Sequence, residues 1–405
     1  MFVNMKKLAI IGRGTAGCLS MIHFLRWTDW QIDWYYDENI KPQAVGEGSQ
    51  LIFPIVLEDC LGMHHSDISK IDGTVKLGIH KIGYGNNSNF YHDFNNGSGI
   101  SYHFNATKLQ NFIFDEVKNN QRVTCISENI NHNNIDSDFI MDCGGKPSNY
   151  DDFHLSEYIP VNAVYVTQCY WDYPRYQHTL AIARPYGWVF GIPLQNRCSI
   201  GYMYNHQINN IENVKEDVKE IFKQFNLTPS DNTNSFHFNN YYRKQNYSDD
   251  GRIAYNGNAS FFLEPMEATS ITRMDNINRV SWDIWNKGGK HVAHSANKNY
   301  SYFFSALEKE LMIHYYAGSP YKTKFWEFSK NRGEIAIKNL LKYPEFQKIL
   351  NICEKDIKEN GLKHTYIPGK ECDPIVFATW SVYSWKTHIY NFGILDRLLE
   401  LKRQV

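Results

Sequence analysis

Three glycines fall at close, regular spacing in Gly12-Arg13-Gly14-Thr15-Ala16-Gly17, and an acid, Asp37, follows about 25 residues after the first of them. Glycines so placed let a chain turn tightly, bring backbone N–H groups up to a pyrophosphate, and pack a helix closely on a strand, while the acid accepts from a ribose hydroxyl. A second candidate is Lys76 in Gly73-Thr74-Val75-Lys76-Leu77-Gly78-Ile79. If Thr74 to His80 is extended, Val75, Leu77 and Ile79 share one face and Thr74, Lys76, Gly78 and His80 the other. Lys76 then points away from the core-facing residues, beside the small Gly78. Spacing alone favours a solvated lysine on a strand's outer face, since that is the usual place for lysine. Lys81, nearby, falls on the opposite face. Glu264 and Glu267 flank Pro265-Met266. A carboxylate there can act as a general base or simply favour a helix start, and Glu264, next to proline, reads as structural.

These groups need elements to hold them. Lys7 to Ile11 is an apolar strand, and the glycine string leads into a helix whose Cys18, Ile22 and Leu25 share one face. Ile32, Trp34 and Tyr36 alternate in a second strand that ends at Asp37. This strand–turn–helix–strand context gives the glycines their meaning as a dinucleotide site. Farther on, Ala163 to Cys169, Thr179 to Arg184, Gly187 to Gln195 and Arg197 to Tyr204 read as successive strands, broken by Pro185 and Asn196. Ile211 to Phe225 reads as a helix and Ser235 to Tyr242 as another strand. After Ser295 the pattern is mostly helical, punctuated by Pro320, Pro344, Pro368 and Pro374. The expected fold is α/β: a Rossmann-type core carrying the GxGxxG turn, an inserted antiparallel sheet, and a C-terminal, mostly helical region. The expected division is 1–295 for the core, with the insertion at about 155–245, and 296–405 for the helices.

Composition narrows the partners. Lysine plus arginine number 42 against 43 acids among 405 residues, which gives no broad basic field for a nucleic acid backbone. The eight cysteines form no CxxC pair or repeating spacing, and so read as reduced thiols. His64, His65, His92, His103 and His154 lack a metal-ligand spacing such as HExxH, and no metal is assigned. No apolar run has the length of a membrane span or of a signal-peptide core. The expectation is a cytoplasmic protein with no nucleic acid or membrane partner, free to self-associate as a homo-oligomer.

Several segments together resemble the flavin-dependent, tryptophan-type halogenases. The opening Gly12-Arg13-Gly14-Thr15-Ala16-Gly17 is similar to that family's GxGTAG start, and Val45-Gly46-Glu47-Gly48-Ser49 to its VGEAT flavin-contacting strap. Lys76 lies where the family places its catalytic lysine. Gly187-Trp188-Val189-Phe190-Gly191-Ile192-Pro193 resembles W-x-W-x-I-P with Phe190 for the second tryptophan. Phe261-Phe262-Leu263-Glu264-Pro265-Met266-Glu267-Ala268-Thr269-Ser270 resembles FLEPLESTG. Weaker echoes are Tyr102-His103-Phe104-Asn105-Ala106 and Phe139 to Gly145. The chain is shorter than typical members, and its C-terminal third matches poorly.

The resemblance implies that reduced FAD, delivered by a separate flavin reductase, reacts with dioxygen and halide to give hypohalous acid, which then halogenates a small, electron-rich aromatic substrate of the indole or phenol kind. It implies FAD contacts from Gly12, Gly14, Thr15, Ala16, Gly17, Asp37, Gly46, Glu47, Trp188, Ile192 and Pro193. Lys76 would deliver the electrophile, by hydrogen bonding or as a haloamine, with Glu267 as partner acid. Thr269 and Ser270 would bind halide. Ser270 stands where the family has glycine, and a residue with a Cβ resists positive φ, so the halide loop is expected to differ. The helical region would cover the substrate. An FAD-dependent aromatic monooxygenase and a catalytically silent FAD-binding protein are the alternatives.

Overall fold

The computed structural model describes residues 5–40, 48–86, 88–288, 290–362 and 376–404. Val45, Gly46 and Glu47, and the prolines at 368 and 374, lie outside them.

The apolar runs and turn signals near the N-terminus build a five-stranded parallel sheet in the order Ile253–Tyr255, Phe139–Asp142, Lys7–Ile11, Gln31–Tyr36, Val123–Ser127. Leu8, Ala9 and Ile10 are fully buried in its central strand, as expected of a parallel sheet covered on both faces. The helix Thr15–Trp27 buries Ala16 to Phe24. Helix Ser270–Lys287 packs across it.

The middle of the chain gives a seven-stranded, mostly antiparallel sheet. Its order is Thr228–His237, Ala163–Tyr170, Arg197–Tyr204, Gly187–Pro193, His178–Arg184, Gly78–Ile82, Asn89–Asp93. Two of these strands come from far upstream of the expected insertion, because Gly78–Ile82 pairs in parallel with His178–Arg184. The strand expected at Ser235 to Tyr242 is divided. Thr228–His237 is a largely exposed edge strand, and Tyr241–Arg243 joins Phe153–Leu155 and Phe261–Phe262 in a separate three-stranded sheet. A polar edge strand such as Thr228–His237 carries no apolar alternation for sequence to reveal.

Helix Ile211–Gln224 closes one face of the large sheet. Asn210 caps it by accepting from the Glu212 N–H at 3.0 Å, and Val214, Val218 and Ile221 are buried at helical spacing. Each such side chain contributes about 1.5–3 kcal/mol relative to exposure. The C-terminal region is helical as expected, with Lys290–Ala317, Lys324–Leu340, Pro344–Asn360, Val382–Phe392 and Leu395–Lys402. The position expected for a boundary, 295/296, falls inside the helix Lys290–Ala317. That helix buries every residue from Ala306 to Ala317, including Glu308, Lys309, Glu310 and His314. Charged groups at this depth require partners. Among the described residues the seven cysteines are free thiols, and no helix is long and apolar enough to cross a membrane.

Candidate active site

At the glycine turn the backbone leaves no room for side chains. Gly12 has φ +94°, and a Cβ on it would meet the Cys143 carbonyl oxygen at 2.4 Å; one on Gly17 would meet the Gly12 oxygen at 2.0 Å. Trp34 Nε1 donates to the same Gly12 oxygen at 2.9 Å and fixes the turn against the second strand. Gly14, by contrast, has nothing within 4 Å and caps the helix Thr15–Trp27 without a side-chain hydrogen bond. The first N–H groups of that helix thus have no side-chain cap, as is usual where a helix start takes an anion. Thr15 Oγ1 accepts from Gln110 Nε2 at 3.1 Å. Ala16 is buried. Asp37 follows directly on the end of Gln31–Tyr36, where its Oδ1 accepts from Asn39 N at 2.8 Å. This open cradle fits a dinucleotide such as FAD.

The strap resumes at Gly48, which bridges to His103. Ser49 Oγ pairs with Ser101 Oγ at 2.7 Å, and Ser101 Oγ donates to the Gln50 carbonyl at 2.7 Å. Gln50 then reaches the segment after Phe261–Phe262: its Nε2 donates to the Glu267 carbonyl at 3.0 Å, and its Oε1 accepts from Thr272 Oγ1 at 2.8 Å. That segment turns through a hydrogen bond from Ala268 N to the Pro265 carbonyl. The positive φ, +52°, lies at Ala268 and not at Ser270. Ser270 opens the helix Ser270–Lys287 with Thr269 as its N-cap, so the serine sits where a Cβ costs nothing and the expected strain has moved two residues upstream.

Trp188, Ile192 and Pro193 lie in a strand that is buried along its whole length. Trp188 Nε1 donates to Glu264 Oε2 at 3.0 Å, and Tyr315 OH donates to the same oxygen at 2.6 Å. Glu264 thus ties the large sheet to the long helix, which agrees with a structural part. Burial pushes its carboxyl up to about 7 despite both donors.

The lysines differ from expectation. The chain does not run on as one strand: Thr74–Lys76 pairs with Ser101–His103, and Gly78–Ile82 joins the seven-stranded sheet. Lys76 is 0% exposed whereas Val75 and Leu77 are only half-buried, so the expected inside and outside are exchanged. The change of sheet between them also cancels the alternation that set Lys81 apart. Lys81, likewise 0% exposed, donates to Glu267 Oε1 and lies 2.9 Å from His314 Nε2. Among the described residues Lys76 Nζ has no hydrogen-bond partner. It sits beside Gly48, where an added Cβ would be 3.4 Å from the amine and 3.8 Å from Ala268 Cβ, and 5.6 Å from the Phe94 ring centroid. Burial lowers this amine to about 7, with Glu267 opposing and Lys81 assisting.

Glu267 is the hub. Burial would raise its carboxyl, but Lys81, His314 and His388 hold it well below the usual range. Trp380 Nε1 donates to Oε2 at 3.2 Å, and the Trp380 ring stacks on His388 with centroids 3.9 Å apart. His92 Nδ1 lies 3.8 Å from the same oxygen. His92, Glu267 and His388 present ligand-type atoms within 4.8 Å of one another. Lys81 already balances the carboxylate's charge, and the two rings bond to Ser384, His92 through its hydroxyl and His388 through its carbonyl. Sequence reading set Lys81 aside and missed Gln50, His314, Trp380 and His388; no local spacing links these residues, and His92 was considered only for metal motifs.

Residues 96–355 match the family model for tryptophan halogenase. The chain belongs to that family. The matched stretch holds the strand Gly187–Pro193 and the Glu264–Ser270 segment but begins after Lys76. No curated protein matches the chain. Among solved structures, it is similar to a tryptophan halogenase from Shewanella frigidimarina at 16% identity and TM-score 0.73, covering 99% of this chain and 94% of that one. It is also similar to a tryptophan 6-halogenase from Streptomyces toxytricini, at 15% identity and TM-score 0.74 over 98% and 96% of the two chains. A flavin-dependent halogenase from Xanthomonas campestris matches at 16% identity and TM-score 0.73 over 99% and 94%. These likenesses are of fold, and they agree with the parallel core, the added sheet and the helical C-terminus. As a member of the tryptophan halogenase family, the chain is a flavin-dependent enzyme that halogenates aromatic substrates.

Proposed function

We propose that the flavin is FAD, taken up reduced from a separate reductase, and that Lys76 and Glu267 carry the transfer of halogen to an indole- or phenol-like ring. The observation that carries this reading is the Lys76 amine, buried, without a partner among the described residues, and beside Gly48, which Ala268 also approaches. A buried polar group left unpaired costs stability, and its retention marks a place where a reactant completes the bonding.

Gly12, Gly14, Thr15, Ala16, Gly17 and Asp37 would hold the adenosine diphosphate, and Trp188, Ile192 and Pro193 would wall the ring end. Gly46 and Glu47 belong to this proposal by resemblance. Bound and reduced, FAD supplies with dioxygen the oxidation of halide to hypohalous acid. Thr269 and Ser270 would offer the free N–H groups of their helix start to the halide. Glu267, kept ionised by Lys81 and the Trp380 donor, would orient the electrophile and accept the ring proton. The helical region would cover the substrate, with Trp380 and His388 as its inner surface.

The test supplies reduced FAD through an added reductase, offers chloride and bromide with a panel of phenols and indoles, and reads mass shifts. Halogenated product is expected from the native chain, and none from Lys76→Ala with FAD binding retained. Full activity in that variant removes Lys76 from the mechanism.

A further inference from the structure

Two amines and one carboxylate share this buried site, and the hydrogen bonds decide which amine holds the charge. Around Lys81 Nζ stand three acceptors: Glu267 Oε1, His314 Nε2 at 2.9 Å and the Met266 carbonyl at 3.5 Å. His314 is an acceptor there because its Nδ1 lies 3.1 Å from the Leu311 carbonyl, which can only accept, so Nδ1 carries the proton. Three acceptors complete an ammonium group. Lys76 Nζ has none.

The other groups that face Lys76 do not replace the missing partner. His103 Nδ1 lies 3.3 Å from Thr74 Oγ1, whose own hydrogen goes to the Pro193 carbonyl at 2.6 Å. Thr74 therefore accepts from His103, and His103 Nε2 accepts from Thr179 Oγ1 at 2.8 Å. His103 is thus a neutral ring that brings no counter-charge. Phe94 offers only its ring, and Gly48 and Ala268 offer no side-chain charge. Among the described residues the carboxylate that acts on Lys76 is Glu267, and it already pairs with Lys81.

We infer that Lys81 sets the charge of the site: by holding Glu267 as its counterion it leaves Lys76 an uncharged amine whose lone pair can take up halogen. This rests on the proposed function above and deepens it. Burial lowers both amines and the charge of Glu267 opposes it at both, but Lys81 alone also has the direct hydrogen bond to Glu267, while Lys76 falls to about 7. Lys81 acts through Glu267 and is a positioning residue. In the step it permits, the Lys76 nitrogen attacks the halogen of hypohalous acid, the oxygen–halogen bond breaks toward oxygen, and the amine proton completes a water molecule. The arene then takes the halogen, the nitrogen–halogen electron pair returns to Lys76, and the ring proton, accepted by Glu267, passes to that nitrogen and restores the amine. The sum is hypohalous acid plus arene giving haloarene plus water.

The experiment follows the 13Cε signals of labelled lysines by NMR as pH is varied, in the full-length, FAD-loaded protein. One signal, missing from Lys76→Met, should titrate near neutral pH. In Lys81→Met, Glu267 is released to Lys76, so that midpoint should rise by at least one unit; Lys81→Arg, which restores the charge, should bring it back. The acid limb of the halogenation profile should move with it, with at least about fivefold lower activity at pH 7 and recovery above pH 9. A Lys76 signal that titrates above pH 9 in the native protein overturns the inference even if Lys81→Met does not fold, as does a midpoint that Lys81→Met leaves in place. Absence of any halogenated product would count against the proposed function and leave the titration readable by itself.

Discussion

The glycine turn and the charge cluster around Glu267 are built on opposite plans. The turn draws its function from backbone: six consecutive residues, two contacts too close for a Cβ, and an open N-terminus at Gly14. The cluster draws its function from side chains on five separate segments, namely Lys81, His92, Glu267, His314 and the pair Trp380 and His388. A backbone site cannot tolerate substitution but needs no partner elsewhere. A side-chain site tolerates local change and depends on every segment arriving in register.

The largest expected effect tests the backbone end. Gly17→Ala puts a Cβ 2.0 Å from the Gly12 oxygen, which is main chain and cannot swing aside. The helix must withdraw from the turn, at a cost of roughly 4 kcal/mol or more, and the N–H groups offered to the cofactor move with it. Flavin titration should show binding reduced by about a hundredfold or more, from the more than 2.7 kcal/mol that this factor represents. Wild-type affinity in this variant would show that the turn is more compliant than its contacts imply.

A smaller effect tests the side-chain end. Glu310 accepts from Thr379 N at 2.9 Å, Thr379 Oγ1 and Trp380 N at 3.2 Å, so it positions the tryptophan that bonds to Glu267. Burial raises its carboxyl to about 8. Because the folded form binds the proton more tightly than the unfolded one, Glu310 loses stability as pH rises from about 4.5 to about 8; Glu264, raised to about 7, adds in the same sense. Glu267 works oppositely, losing stability as pH falls below the ordinary carboxylate range. Glu310→Gln should therefore gain on the native chain by on the order of a few kcal/mol between pH 5 and pH 8, read as urea midpoints. A gap that stays constant over this range, or runs the other way, would show that Glu310 is not held protonated.

The same contrast explains what the sequence reveals. The glycine turn, its flanking strands and Asp37 are legible because every interaction lies within a short stretch with one period. Arg197–Tyr204 is read to its ends for the same reason. Lys81 is not, since its role follows from a change of sheet between Lys76 and Gly78 that no alternation announces, and its partners lie 186 and 233 residues away. Nor is the placement of positive φ at Ala268: the departure at Ser270 draws attention, while the turn two residues earlier carries the strain. The strand Thr228–His237 is hidden because its side chains are polar and exposed.

The smallest expected effect falls where the two plans meet. Gln50 belongs to the strap, held to the core by Ser101, and its amide spans to the Glu267 carbonyl and the Thr272 hydroxyl. Gln50→Ala removes two neutral hydrogen bonds at a half-buried position that water can reach, so the loss in stability should be about 1 kcal/mol. Flavin affinity should hold to within a few-fold, because the glycine turn is untouched. Halogenation should fall several-fold, because Glu267 and the start of Ser270–Lys287 then lose their tie to the strap beside Lys76. Single-turnover rates and flavin titrations on the same preparation separate the two. If both fall together, the strap is part of the backbone site; if neither falls, the Pro265–Ala268 turn and the Lys81–Glu267 pair hold the loop without it.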